Sequence, residues 1–215
     1  MRRKLYAVLG IFAAASMVTA CGTSFKAEES TVYVTKQGTV IGADIEDFNE
    51  DYYDEEELEN YITESVESYV ASNGDGSVEL ESFKTESSEE HGITAHLYLN
   101  YTNYIDYALF NDIVFFAGTI TQAQDEGYAF DQQLQAVEDG SLTGIVDLKE
   151  VLGSEESDNE ELKAVVIGEE TVVKIDGTIQ FVSDGNVEMI SKDTARVHYD
   201  VEDKEAQPGY ILYKS

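Results

Sequence analysis

Positive charge is what this chain has least of. Thirteen Lys and Arg stand against 44 Asp and Glu, a formal net charge of −31 over 215 residues. Phosphate binding needs clustered Lys and Arg, so nucleic acid is excluded as a partner. The same acidity opposes adsorption of the folded part to anionic headgroups. It suits either plain solubility or attraction of divalent cations, basic peptides or cationic wall polymers. Cysteine occurs once, at Cys21, so a disulfide within the chain is impossible and packing must supply the stability. Histidine occurs three times, at His91, His96 and His198. None lies in HExxH and no second Cys completes a zinc set, so neither a transition metal nor another cofactor is expected. The GxSxG elbow, the Walker loop and the dinucleotide GxGxxG are all missing, so no catalytic residue is assigned.

Asn73-Gly74-Asp75-Gly76-Ser77 has the look of a calcium loop. Setting Gly76 at the sixth position of an EF-hand puts Ala71 at the first and Ser82 at the twelfth. Both ligating ends fail, and a helix C-cap with a turn is the better reading.

The N-terminus is informative. Met1-Arg2-Arg3-Lys4 is a basic start, Leu5 to Ala15 an uncharged apolar run, and Val18-Thr19-Ala20-Cys21-Gly22 the close. The run is of signal-peptide length and short of a spanning helix. A lone Cys often packs as a small hydrophobe, but here it ends a leader-like segment. The pattern resembles the lipobox of bacterial lipoproteins. That resemblance implies that residues 1–20 are a signal peptide, that the Cys21 thiol carries diacylglycerol, and that the protein sits on the outer face of the cytoplasmic membrane. An uncleaved signal anchor is the competing reading. Two acyl chains anchor stably where one does not. Cleavage would remove three basic residues and no acidic ones, leaving ten against 44, a net −34.

Residues 22–30 read as a tether of at most about 30 Å, and 31–215 as the extracytoplasmic domain, with a subdivision near 150–160 left open. With 42% hydrophobic residues the chain can bury a real core. Alternation around Lys36-Gln37-Gly38 predicts a hairpin over 31–45. Asp54 with Glu57 predicts an N-cap, and Leu58, Ile62 and Val66 the buried stripe of one long amphipathic helix over 55–71. Strands are expected at 78–85 and 93–101. Short helices are expected at 102–111, with Ile105, Ala108 and Leu109 inward, and at 121–126. The stretch 128–152 is ambiguous. From residue 161, six apolar runs separated by turn residues predict a β-meander. The class is α+β with a mainly antiparallel sheet.

Two clusters are candidates for function. Asp44, Glu46, Asp47, Glu50, Asp51 and Asp54 to Glu57 form the densest acidic run, read as a solvated loop and helix start, with a weak calcium site as the functional alternative. Tyr98, Tyr104 and Tyr107 belong to an aromatic and Asn-rich stretch suited to stacking on a ligand; core packing is the commoner use, and alternation puts only Tyr98 on the polar face of its strand. Beyond the lipobox, TVYVTKQGTVIGADIEDF, FFAGTITQAQDEGY and the strand-rich ending resemble small lipoproteins of Gram-positive gut anaerobes, which implies a location and no activity. The expectation is a lipid-anchored, non-enzymatic binding or assembly module with a cationic or cell-envelope partner. A solute- or glycan-binding receptor and a carboxylate-dependent wall-glycan hydrolase are the alternatives.

Overall fold

The computed structural model describes residues 25–89, 92–147, 162–203 and 205–215. The leader, Cys21, His91 and the proposed subdivision near 150–160 lie outside the described residues. In chain order the elements are β1 (Thr31–Val34), β2 (Val40–Asp47), α1 (Glu55–Asn73), β3 (Val78–Ser88), β4 (Gly92–Tyr101), α2 (Tyr104–Asn111), β5 (Phe115–Thr119), α3 (Ile120–Asp125), β6 (Leu134–Glu138) and β7 (Ser141–Val146). Then follow β8 (Leu162–Ile167), β9 (Thr171–Ile175), β10 (Thr178–Ser183), β11 (Val187–Ser191), β12 (Thr194–Val197) and β13 (Gly209–Lys214). The class is α+β, as the patterning predicts.

There are two sheets. Seven strands run β11-β12-β9-β1-β2-β4-β3 and six run β5-β8-β13-β10-β6-β7. Among the described residues every pairing is antiparallel except β1 with β9. The two sheets share one core: Val32, Val34 and Val173 from the first meet Val165, Ile179 and Ile211 from the second. A second cluster, built on Phe116, Ile120, Leu134, Val166 and Leu212, covers the other face of the six-stranded sheet. Strands β8 and β13 are therefore buried on both faces, which is why Ala164 to Ile167 and Tyr210 to Tyr213 are unbroken apolar runs.

The closing strands stand where the sequence places them, but they do not form a meander. β8, β10 and β13 belong to the six-stranded sheet, while β9, β11 and β12 belong to the seven-stranded one. Only β11 and β12 pair as neighbours in sequence. The Asp176-Gly177 link shows the reason. A two-residue hairpin of this composition needs positive φ at both central residues, and neither residue has it. Gly177 serves close approach instead: a Cβ there would lie 2.4 Å from the Lys214 carbonyl oxygen. By contrast, Asp139 (φ 48°) and Gly140 (φ 79°) do form such a hairpin, between β6 and β7.

Helix α1 starts at Asp54, whose Oδ1 accepts from the Glu57 N–H at 3.0 Å. It buries only Ile62. Leu58 and Val66 are half-buried, so the stripe expected from the sequence is not fully covered. The helix lies along the edge strand β3, so one flank has no sheet beneath it. Leu58→Ala is therefore expected to cost about 1 kcal/mol, half the value for a fully buried Leu, and Glu59→Ala within about 0.5. Urea midpoints check both. Helix α2 is rotated from expectation: Ala108 packs against the core, but Ile105 and Leu109 are 51% and 62% exposed, and Tyr107 is buried. Tyr104, Tyr107 and Phe110 form its inward row, since these rings reach into the core that Tyr101 and Phe115 also fill.

Candidate functional site

A groove of about 670 Å³ lies between α1 and the seven-stranded sheet, within the usual size of ligand sites. Strand alternation builds its floor. Val40, Gly42 and Asp44 share one face of β2, and their partners across β4 are Tyr101, Leu99 and Leu97. At the Val40 end this face is covered by core. At the Asp44 end neither the other sheet nor α1 covers it, and Asp44, Leu97 and Leu99 line the groove. The wall is the flank of α1 that presents Ser65, Ser68 and Ser72. Ser65 and Ser72 donate back to the carbonyls of Tyr61 and Ser68, so these small side chains stay on the helix and leave the gap open. Tyr61, 69% exposed, stands at the rim.

Asp44 is the chemical centre. Its side chain is exposed to solvent in the groove, and only the protein packed behind the strand partly desolvates it. That desolvation, with the charges of Glu169 and Glu46, pushes its pKa up to about 6. Among the described residues no Lys or Arg pairs with it and no group donates a hydrogen bond to it. Glu169, in the β8–β9 turn, is likewise raised by burial, and the Tyr107 hydroxyl, donating to its Oε2 at 3.3 Å, partly offsets this. Tyr107 packs edge-on against Tyr101 with centroids 5.0 Å apart. Asn111 donates from Nδ2 to the Tyr101 hydroxyl at 3.3 Å. The nearby phenols and Asn111 thus have partners, and the Asp44 carboxylate does not.

The sequence puts Asp44 both in the hairpin expected over 31–45 and at the head of the solvated acidic run, and Asp44, Glu46 and Asp47 are indeed exposed. In the structure Asp44, Glu46 and Asp47 are strand residues, and only the rest of the run is loop and helix start. The signal was present: Val40-x-Gly42-x-Asp44 continues the alternation, which puts a carboxylate on a core-facing row.

The three candidate tyrosines are not brought together. Tyr107 lies in the core beside Glu169. Tyr104 donates to Glu126 and packs on Phe116, rings 4.9 Å apart. Tyr98 does point to the face opposite Leu97, but it is only 8% exposed, because Phe25 lies over it edge-on and the Ala27 N–H donates to its hydroxyl at 3.1 Å. His96 shares that face, 3.8 Å from Glu86. None of the three tyrosines lines the α1 groove. No protein-family model, curated protein or solved structure matches the chain.

Proposed function

We propose that this protein is a lipid-anchored, non-enzymatic binding module on the outer face of a bacterial cytoplasmic membrane, and that the α1 groove is its ligand site. The observation that carries the groove assignment is Asp44: an unpaired carboxylate beside Leu97 and Leu99, crowded by two other acids. Partial desolvation and the like charges of Glu169 and Glu46 both work against its ionised form, and its exposed side chain faces the groove. A bound cation offsets the like-charge repulsion and favours the ionised carboxylate. The ligand class is therefore an ammonium or guanidinium group on an apolar body, with Tyr61 at the rim available to its face. On this reading α1 is the amphipathic wall of the site, with Ile62 inward and the serines toward the ligand.

Two experiments test the parts separately. For the anchor, Cys21→Ala should abolish incorporation of a fatty-acid analogue and leave the precursor uncut; equal labelling of wild type and variant contradicts it. For the groove, Asp44→Asn should reduce the affinity for hexylammonium by tenfold or more, about 1.4 kcal/mol, measured by calorimetry at fixed ionic strength.

The pH dependence follows from the raised pKa of Asp44. The unfolded carboxylate ionises near its ordinary value of 3.8, the folded one near 6. Asp44 therefore favours the fold most at low pH, and that contribution is lost as pH rises through about 6. Cation affinity runs the other way and rises through the same window. Asp44→Asn should remove both dependences, so the wild type minus variant difference isolates this group from the other acids.

A further inference from the structure

Of the segment expected to be a tether, residues 25–30 are docked on the domain. Phe25 packs on Tyr33 of β1 with ring centroids 5.0 Å apart and edge-on to Tyr98 of β4. Ser30 exchanges hydrogen bonds with the Ile45 backbone at 2.9 and 3.2 Å, and its carbonyl accepts from the Thr171 hydroxyl at 3.1 Å. Glu29 pairs with Arg196 at 2.8 Å. Residues 25–30 thus cross the middle of the seven-stranded sheet, on the face opposite the groove. Resting on the lipid-anchor reading above, we propose that this outer sheet face is the membrane-facing surface, and that the α1 groove points away from the bilayer.

Reach decides the orientation. Four residue steps separate Cys21 from Phe25, at most about 14 Å however they run. Between the docked Phe25 and the far side of the domain lie the seven-stranded sheet and then a second layer, helix or sheet. Packed layers are about 10 Å apart, so turning the far side to the bilayer would hold Phe25 more than about 20 Å from it. The anchor does not stretch that far. Charge points the same way. Of the eight Lys and Arg among the described residues, Lys26, Lys84, Lys174 and Arg196 belong to this face. Three of its carboxylates, Glu86, Asp193 and Glu29, are paired to the last three of these, while Glu188 beside His198 and Asp47 opposite Thr94 share the face without a Lys or Arg partner among the described residues. Within a Debye length of about 8 Å, anionic headgroups repel such a face less than the acidic run from Glu50 to Glu57.

The lipidated full-length protein in phosphatidylglycerol vesicles tests this. Acylation occupies Cys21, so single cysteines introduced as Ser82→Cys and Glu188→Cys on the outer face, or Thr63→Cys on α1, can be labelled with a fluorophore. A headgroup-attached quencher should quench Ser82→Cys and Glu188→Cys several-fold more than Thr63→Cys. Adding Phe25→Ala, which undocks the segment, should shrink that contrast. Flotation is run on every sample. Protein that fails to float overturns the anchor and this orientation with it. Protein that floats but is quenched equally at all three sites, or more at Thr63→Cys, overturns the orientation alone.

Discussion

Phe116→Ala is expected to lower the unfolding free energy by about 3–5 kcal/mol, the range for a fully buried phenylalanine. Phe116 has no exposed surface. It stands on the face of β5 turned away from the sheet-to-sheet core, and the rings of Tyr104 and Tyr128 lie 4.9 and 5.4 Å from it. Truncation removes the centre of the cluster that α3 and the residue 128–130 segment build over the six-stranded sheet. Those neighbours are fixed from several sides: Ala123 and Leu134 are themselves fully buried. The cavity cannot collapse cheaply. The urea midpoint should fall with the slope unchanged, while Tyr52→Ala, 76% exposed, should stay near wild type. Equal midpoints for the two variants would show that the outer cluster is not a core.

Gly177→Ala is expected to destabilise by about 1–3 kcal/mol through overpacking. Its added Cβ would meet the Lys214 carbonyl oxygen at 2.4 Å and Tyr213 Cδ2 at 3.0 Å. The first contact is backbone in β13, paired on both sides in the six-stranded sheet, so neither partner can move without disturbing a ladder. Gly144→Ala is the matched control. It has nothing within 4 Å and no positive φ, so the loss of unfolded-state freedom should leave it neutral or stabilised by about 0.4–1 kcal/mol. If Gly177→Ala behaves like Gly144→Ala, the tight crossing between sheets at β9 and β10 is wrong.

These two positions also show where sequence reading succeeds and stops. The strands from Leu162 onward are legible because β-branched runs and turn residues mark their limits. Their dealing between sheets is not, because alternation fixes which residues share a face and says nothing about which strand lies beside which. Asp176-Gly177 has hairpin composition but is used for steric clearance. Asp139-Gly140 has the same composition and is a hairpin; it lies in the stretch that the sequence leaves ambiguous, where Gly144 obscures the second strand. In α2, ranking Ile105 and Leu109 above Tyr107 by hydropathy fails, since the helix is placed by aromatic fit to Tyr101 and Phe115. The burial of Tyr98 was not legible either, because it depends on residues 25–30 folding back over the sheet. The site was half legible. Asp44 continues the row of Val40 and Gly42, but the open groove over it depends on α1 lying along β3 rather than across β4, which no local pattern encodes.

The most direct test of the account is the thermal shift produced by hexylammonium chloride in wild type and Asp44→Asn, at pH well above and well below about 6, with sodium chloride holding ionic strength constant and hexanol as the uncharged comparison. A ligand at free concentration L that binds only the native state stabilises it by RT ln(1 + L/Kd), so the melting temperature goes on rising with the logarithm of concentration above Kd. The predicted result is stabilisation of the wild type that follows this logarithmic law above that pH, is lost below it, is weaker with hexanol and is absent in Asp44→Asn. The same shift in both proteins, or one indifferent to pH, would contradict a cation site at Asp44.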